Sequence, residues 1–97
     1  MQQITGWQNK DTDKLFKAIL NLKNIQECEA FFRDLMTLSE LKEIAIRFKV
    51  AQMLDKKNKS YFRIAKEAKT TTATVTRVAQ WLRYGAGGYR LILNRLR

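Results

Sequence analysis

The segment Tyr61–Trp81 reads YFRIAKEAKTTTATVTRVAQW, and its chemistry is that of contact rather than reaction. Thr72, Ala73 and Thr76 are short side chains that share one face at helical spacing, with Arg77 at its border. A threonine hydroxyl both donates and accepts, so it serves most base edges, and its methyl can touch a thymine methyl. Short side chains let the N-terminus of a helix enter a major groove, where its free N–H groups and dipole also favour phosphate. Val75 and Val78 recur at i, i+3 and turn another face inward. About ten residues earlier, Ile64 and Ala65 belong to a preceding short helix, and the small Ala65 stands where two helices cross closely. This is helix-turn-helix spacing. Arg63, Lys66, Lys69 and Arg83 flank the pair where phosphates would lie. Phosphate contacts supply affinity and register, while base contacts supply sequence. The turn position commonly taken by glycine is Lys69. A left-handed backbone costs a non-glycine residue about 1 kcal/mol, so a rounder turn is expected here.

The rest of the chain excludes much. Histidine is absent, and a single cysteine, Cys28, excludes an internal disulfide and a cysteine-based zinc site. There is no nucleophile–base pair, Walker motif or dinucleotide fingerprint. Gly85-Ala86-Gly87-Gly88 follows a helix rather than a strand, and reads as a linker instead of a phosphate cradle. The expectation is a non-enzyme with no cofactor and no metal. No apolar run is long enough to span a membrane, and the first ten residues lack a signal-peptide core. Together with the lone cysteine this suggests the cytoplasm.

Charge is the strongest compositional signal. The 97 residues carry 19 Lys+Arg against 9 Asp+Glu, a net of +10. Residues 1–54 hold 8 basic and 7 acidic side chains, a net of +1, whereas residues 55–97 hold 11 and 2, a net of +9. A polyanion is the natural partner, and the C-terminal half is the part that meets it. Double-stranded DNA fits best, because the chain lacks an aromatic platform for stacking unpaired bases. The competing reading is a protein-interaction module whose basic face docks an acidic partner.

The elements that position these residues are helical throughout, since proline is absent and helix formers dominate. Apolar spacing predicts a first helix over 13–22 and a second after Asn24, which with Glu27 forms a capping box. The second carries the stripe Ile25, Cys28, Phe31, Phe32, Leu35, on which Cys28 is a small buried hydrophobe. Thr37 and Glu40 form a second capping box, opening a helix that runs to about Leu54. That helix has two apolar lines: Leu41, Ile44, Ala45 and Phe48, and Ile46, Val50, Met53 and Leu54. A short chain buries only about two-thirds of its unfolded surface, so a second subunit is the simplest cover for both lines. Ser60 caps a helix over 61–68, a turn follows, and further helices run over 72–83 and 89–95. The expected plan is one domain over 1–97: a dimerisation scaffold (10–55), the helix pair (60–83) and a C-terminal helix (86–97). Trp7 is expected to anchor an N-terminal arm by packing.

The run LMTLSELKEIAIR from Leu35 to Arg47, and the following segment up to Ala73-Thr74-Val75-Thr76-Arg77, resemble the bacterial Trp repressor superfamily, and most of all its Trp-repressor-like branch. The resemblance covers roughly residues 13–95. It implies an all-α, six-helix fold with a helix-turn-helix, and an intertwined homodimer with two DNA-reading heads about one duplex turn apart on a palindromic operator. It implies a transcriptional regulator, a repressor by type. The family's tryptophan pocket maps onto Thr37, Arg47, Thr74, Arg77, Val78 and Trp81. Where the family has a glycine that admits the ligand and a serine that receives its amino group, this chain has Val78 and Trp81. Both fill space, and Trp81 removes a hydroxyl acceptor, so tryptophan is not the expected effector and the sequence names no other. The family's DNA-contacting positions also differ at Tyr61, Phe62 and Ala65.

Overall fold

The computed structural model describes residues 6–97, which form six helices and no strand. They are α1 (Lys10–Ile19), α2 (Ile25–Leu35), α3 (Leu38–Lys56), α4 (Tyr61–Ala68), α5 (Thr72–Tyr84) and α6 (Gly88–Arg95). Two compact units are present, and α3 begins in the first and continues in the second. The first comprises residues 6–41, and the second is Lys42–Arg97.

In the first unit, local capping sets the helix ends. α1 starts three residues earlier than apolar spacing alone suggests, because Asn9 and Thr12 form a reciprocal capping box, with the Asn9 carboxamide oxygen 2.9 Å from the Thr12 N–H and the Thr12 hydroxyl oxygen 2.9 Å from the Asn9 N–H. It also stops earlier, and Asn21 caps its end by donating to the Lys17 carbonyl at 2.8 Å. The expected box at Asn24 and Glu27 is only half formed. Asn24 accepts from the Glu27 N–H at 2.8 Å, but the Glu27 carboxylate takes the Lys23 N–H at 2.9 Å instead of that of Asn24. The Thr37–Glu40 box is complete, with bonds of 2.9 and 3.1 Å. Trp7 packs edge-on against Phe16 with ring centres 6.1 Å apart. Neither α1 nor α2 contains a buried residue, and Cys28 is half-buried rather than enclosed.

The second unit holds the core. Val50 and Ala51 of α3, Ile64, Ala65 and Ala68 of α4, and Val75 and Val78 of α5 form one buried cluster. Ile46, Met53, Leu54 and Tyr89 pack at its edge. Of the two apolar lines on α3, one thus turns into this core, while Ile44 and Ala45 of the other stay exposed and Phe48 half-buried. Two alanines on α4 let α5 approach closely, and α6, whose Leu93 is buried, packs on α5. Gly87 makes the bend into α6 with φ 89°, a backbone open to glycine at no steric cost.

The link between α4 and α5 is tighter than its lysine suggests. Lys69 adopts the left-handed conformation (φ 57°, ψ 49°), so the expected rounder turn does not occur. The Thr70 N–H reaches the Ala65 carbonyl at 2.9 Å and the Lys69 N–H reaches that of Lys66 at 3.3 Å. This paired closure satisfies the last carbonyls of α4 and outweighs the steric cost. Replacing Lys69 by glycine removes that cost and leaves the bonds in place. The variant is expected to be more stable by about 0.5–1 kcal/mol, after allowing for the extra freedom glycine has when unfolded. Denaturant unfolding checks this; a lowered midpoint would show that the lysine side chain itself holds the turn.

Candidate nucleic-acid interface

The threonine run divides into two jobs. Thr71 is the N-cap of α5, and its hydroxyl oxygen accepts the Thr74 N–H at 3.1 Å. Its hydroxyl also lies 3.2 Å from that of Thr74, so Thr74 is engaged in the cap. Val75, Val78, Ala79 and Leu82 face the core. Thr72, Ala73, Thr76, Arg77 and Gln80 are exposed along the opposite side. Among the described residues, neither the Thr72 nor the Thr76 hydroxyl has a partner in the chain, and both are free for an external one. The first N–H groups of α5 lie beside them, unsatisfied by the helix itself.

The four flanking cations differ in their surroundings. Arg63 pairs with Glu67 at 2.9 Å, and Lys59 meets the other carboxylate oxygen of Glu67 at 2.6 Å. These contacts, that from Lys59 foremost, hold the Glu67 carboxyl below its ordinary pKa. Acid that protonates Glu67 therefore releases both cations, and the stabilising contact, present at neutral pH, is lost as pH falls through that lowered value. Lys66 has no carboxylate within 4 Å among the described residues, and with Phe62, Arg63 and Glu67 it lines a shallow groove of about 450 Å³. Lys69 stands on the left-handed turn. Arg83 lies one helix end away, in the last turn of α5. Sequence reasoning missed Glu67 and Lys59. The Arg63–Glu67 spacing of i, i+4 on α4 was visible, but Lys59 reaches Glu67 only because the loop folds back beside the helix.

The positions equated with an effector pocket have several separate employments. The Thr37 hydroxyl oxygen accepts the Glu40 N–H in the capping box of the first unit. In the second unit Arg47 pairs with Glu43 at 3.4 Å. It also lies near Tyr89, whose hydroxyl pKa is raised by burial, with Arg47 pulling the other way. Val78 is 2% exposed and belongs to the core, whereas Arg77 is exposed. Trp81 is half-exposed and lines an apolar groove of about 410 Å³ with Phe48, Tyr89 and Ile92. Gly85 is required at its edge, because a Cβ there would strike the Trp81 carbonyl. Among the described residues no three acidic or thiol side chains cluster to hold a metal. No described helix is long and apolar enough to cross a membrane.

Among the described residues, six helices in this order and no strand define an all-α fold of the Trp-repressor type. The chain belongs to the Trp repressor family, matching the Trp repressor protein family over residues 10–97. It is 41% identical over 95 residues to the uncharacterised Bacillus subtilis protein YerC, a match covering 98% of this chain and 90% of YerC. The crystal structure of a TrpR-like protein from Eubacterium eligens superposes with a TM-score of 0.85 at 39% identity, over 91% of this chain and 90% of that one. A candidate Trp repressor from Staphylococcus aureus superposes with a TM-score of 0.90 at 38% identity, over 99% and 95% of the two chains. Family and likeness together point to a DNA-binding regulator.

Proposed function

We infer that the chain is a sequence-specific regulator of transcription, a repressor by type, which acts in the cytoplasm by occupying DNA and performs no reaction. α4 and α5 are its helix-turn-helix, and α5 enters the major groove. The observation that carries this reading is the outward row of Thr72, Ala73 and Thr76 at a capped helix N-terminus, with two hydroxyls free. Arg63, Lys66, Lys69 and Arg83 supply the phosphate contacts that set register. Lys69 supports the assignment, since it keeps a charge at a position where glycine is cheaper.

The working form is a homodimer on a palindromic operator. Leu20 and Ile25 are 84% and 73% exposed, and no residue of α1 or α2 is buried, which leaves apolar surface for a second copy to cover. Sedimentation of the folded protein at micromolar concentration is expected to give twice 11.4 kDa; a stable monomer would remove the pairing. Tryptophan is not the effector, because Val78 is packed where the family makes room and Trp81 replaces its hydroxyl.

The salt dependence of binding tests the electrostatic half. Each neutralised phosphate contributes about 0.9 to the slope of log affinity against log salt. Lys66→Ala removes one contact from each subunit, so it is expected to flatten that slope by about two contacts and to weaken all sequences alike. Glu67→Gln frees Arg63 and Lys59 in each subunit, and is expected to steepen it by up to about four contacts. Filter binding across a salt series reads both; equal slopes for the three proteins would remove α4 from the interface.

A further inference from the structure

Away from the outward threonines, the second unit contains a cleft of about 230 Å³ built by five segments. Lys57 enters it from the end of α3, Lys59 from the following loop, Arg83 from α5 and Arg90 from α6. Its floor is apolar, made by Leu54, Ala79 and Leu82, and Tyr61 stands at its wall. Four cations drawn to one recess repel one another, and no carboxylate lines it. Two carboxylates outside the lining relieve this in part: Glu67 holds Lys59 at 2.6 Å, and Asp55 lies 3.6 Å from Arg90. Asp55 is itself committed to Arg97, which reaches both its oxygens at 2.6 and 2.7 Å. Among the described residues, Lys57 and Arg83 have no carboxylate within 4 Å. Lys57 is also held in the left-handed conformation, φ 57°, where glycine would be free of strain. The fold therefore accepts both repulsion and backbone strain to bring positive charge to this recess.

We propose that this cleft binds a small phosphate monoester, with the phosphate held by Lys57, Arg83 and Arg90 and the organic body seated on Leu54, Ala79 and Leu82 beside Tyr61. Convergent lysine and arginine donors hold phosphate oxygens by strong charge-assisted hydrogen bonds, and a phosphate offers enough oxygens for three of them at once. The recess and its apolar floor favour a small organic phosphate, whose free ring can enter and cover that floor, over a DNA strand, whose sugars are tethered in the duplex backbone. The volume is roughly that of seven to eight liquid waters, enough for one ring and one phosphate. Arg83 is shared. On the DNA reading proposed above it serves a backbone phosphate, and it cannot serve a bound ligand at the same time. Occupation of the cleft therefore loosens DNA.

Calorimetric titration of the whole chain with phenyl phosphate, at low salt and without DNA, tests the site. Saturable binding is expected, tighter than that of inorganic phosphate because the floor is used. Lys57→Gly is the decisive variant, since it removes a charge while relieving backbone strain. It is expected to melt no lower than the wild type, yet to bind phenyl phosphate about tenfold more weakly, the loss of one charge-assisted contact. Arg83→Gln is expected to lose a similar factor, and Lys17→Gln, on α1, none. Unchanged affinity in the first two variants, or equal loss in the third, overturns the proposal, as does inorganic phosphate binding as tightly as phenyl phosphate. A gel shift with saturating phenyl phosphate then reads the coupling; DNA held as tightly as before overturns the regulatory half. Because the titration contains no DNA, its failure leaves the DNA reading standing, and a chain that shifts no DNA leaves the cleft standing.

Discussion

Replacing Thr72 or Thr76 by alanine is expected to lower affinity for a matched operator by about thirtyfold, while affinity for a scrambled site of equal length changes little. A hydroxyl contact to a base edge sits at the low end of the roughly 1–3 kcal/mol that a good side-chain pair contributes to discrimination. Two subunits read two half-sites, so one substitution removes two such contacts, and tenfold corresponds to about 1.4 kcal/mol. Both substitutions together approach about a thousandfold if the two positions act independently. Folding does not confuse the result. Both side chains are exposed, neither hydroxyl is used within the described chain, and alanine is the better helix former. Thr76→Val refines the test, because it keeps a methyl and the branched shape while deleting the hydroxyl. Gel-shift titrations on the two sites measure the difference. Equal losses on both would mean that α5 meets only the backbone and that sequence is read elsewhere. Thr71→Ala is a different experiment: it removes the cap of α5, costs about 1 kcal/mol of stability and weakens every site.

Ile64→Ala is expected to destabilise the protein by about 2–5 kcal/mol, the usual range for an isoleucine truncated in a close-packed core. Ile64 is 1% exposed and, with Val50 and Val75, is among the largest fully enclosed side chains. It belongs to the buried cluster shared by α3, α4 and α5, in which Val50 and Val75 are equally enclosed. For a chain of this size each kcal/mol moves the melting temperature by about 4–8 °C, which puts the expected fall at about 8 °C or more. DNA binding should weaken for every sequence, because α4 and α5 lose their fixed crossing. Calorimetric melting gives the number. A fall of only 1–2 °C would mean that this core does not carry the stability of the second unit.

The contrast between the two variants shows what was legible in the residues. Val75 and Val78 at i, i+3 identified the inner face of α5, and Thr72, Ala73 and Thr76 its outer face, because a regular helix converts spacing into direction. The start of α4 followed from Ser60, whose hydroxyl oxygen takes the Arg63 N–H at 3.1 Å. α1 was placed too late, since its apolar pattern begins after its cap, and a cap of asparagine with threonine is a weaker signal than threonine with glutamate. Lys69 was misjudged for a related reason. Its side chain argues against a left-handed turn, and only the closure of Thr70 onto Ala65 shows what offsets the cost. The i, i+4 spacing of Arg63 and Glu67 is legible on α4, but the sharing of that carboxylate with Lys59 is not, because the loop must fold back to bring it there.

By itself the sequence determined the helices, the inner and outer faces of α5, the crowding of positive charge into the second half and the absence of any metal- or acid–base machinery built on histidine. All of these depend on residue type or on spacing within one helix. Tertiary structure alone decided which of the two apolar lines on α3 enters the core, how Glu67 is shared and which cations gather in the cleft at Leu54. Each of those depends on residues far apart in the chain being brought within a few ångströms, and no local periodicity encodes that.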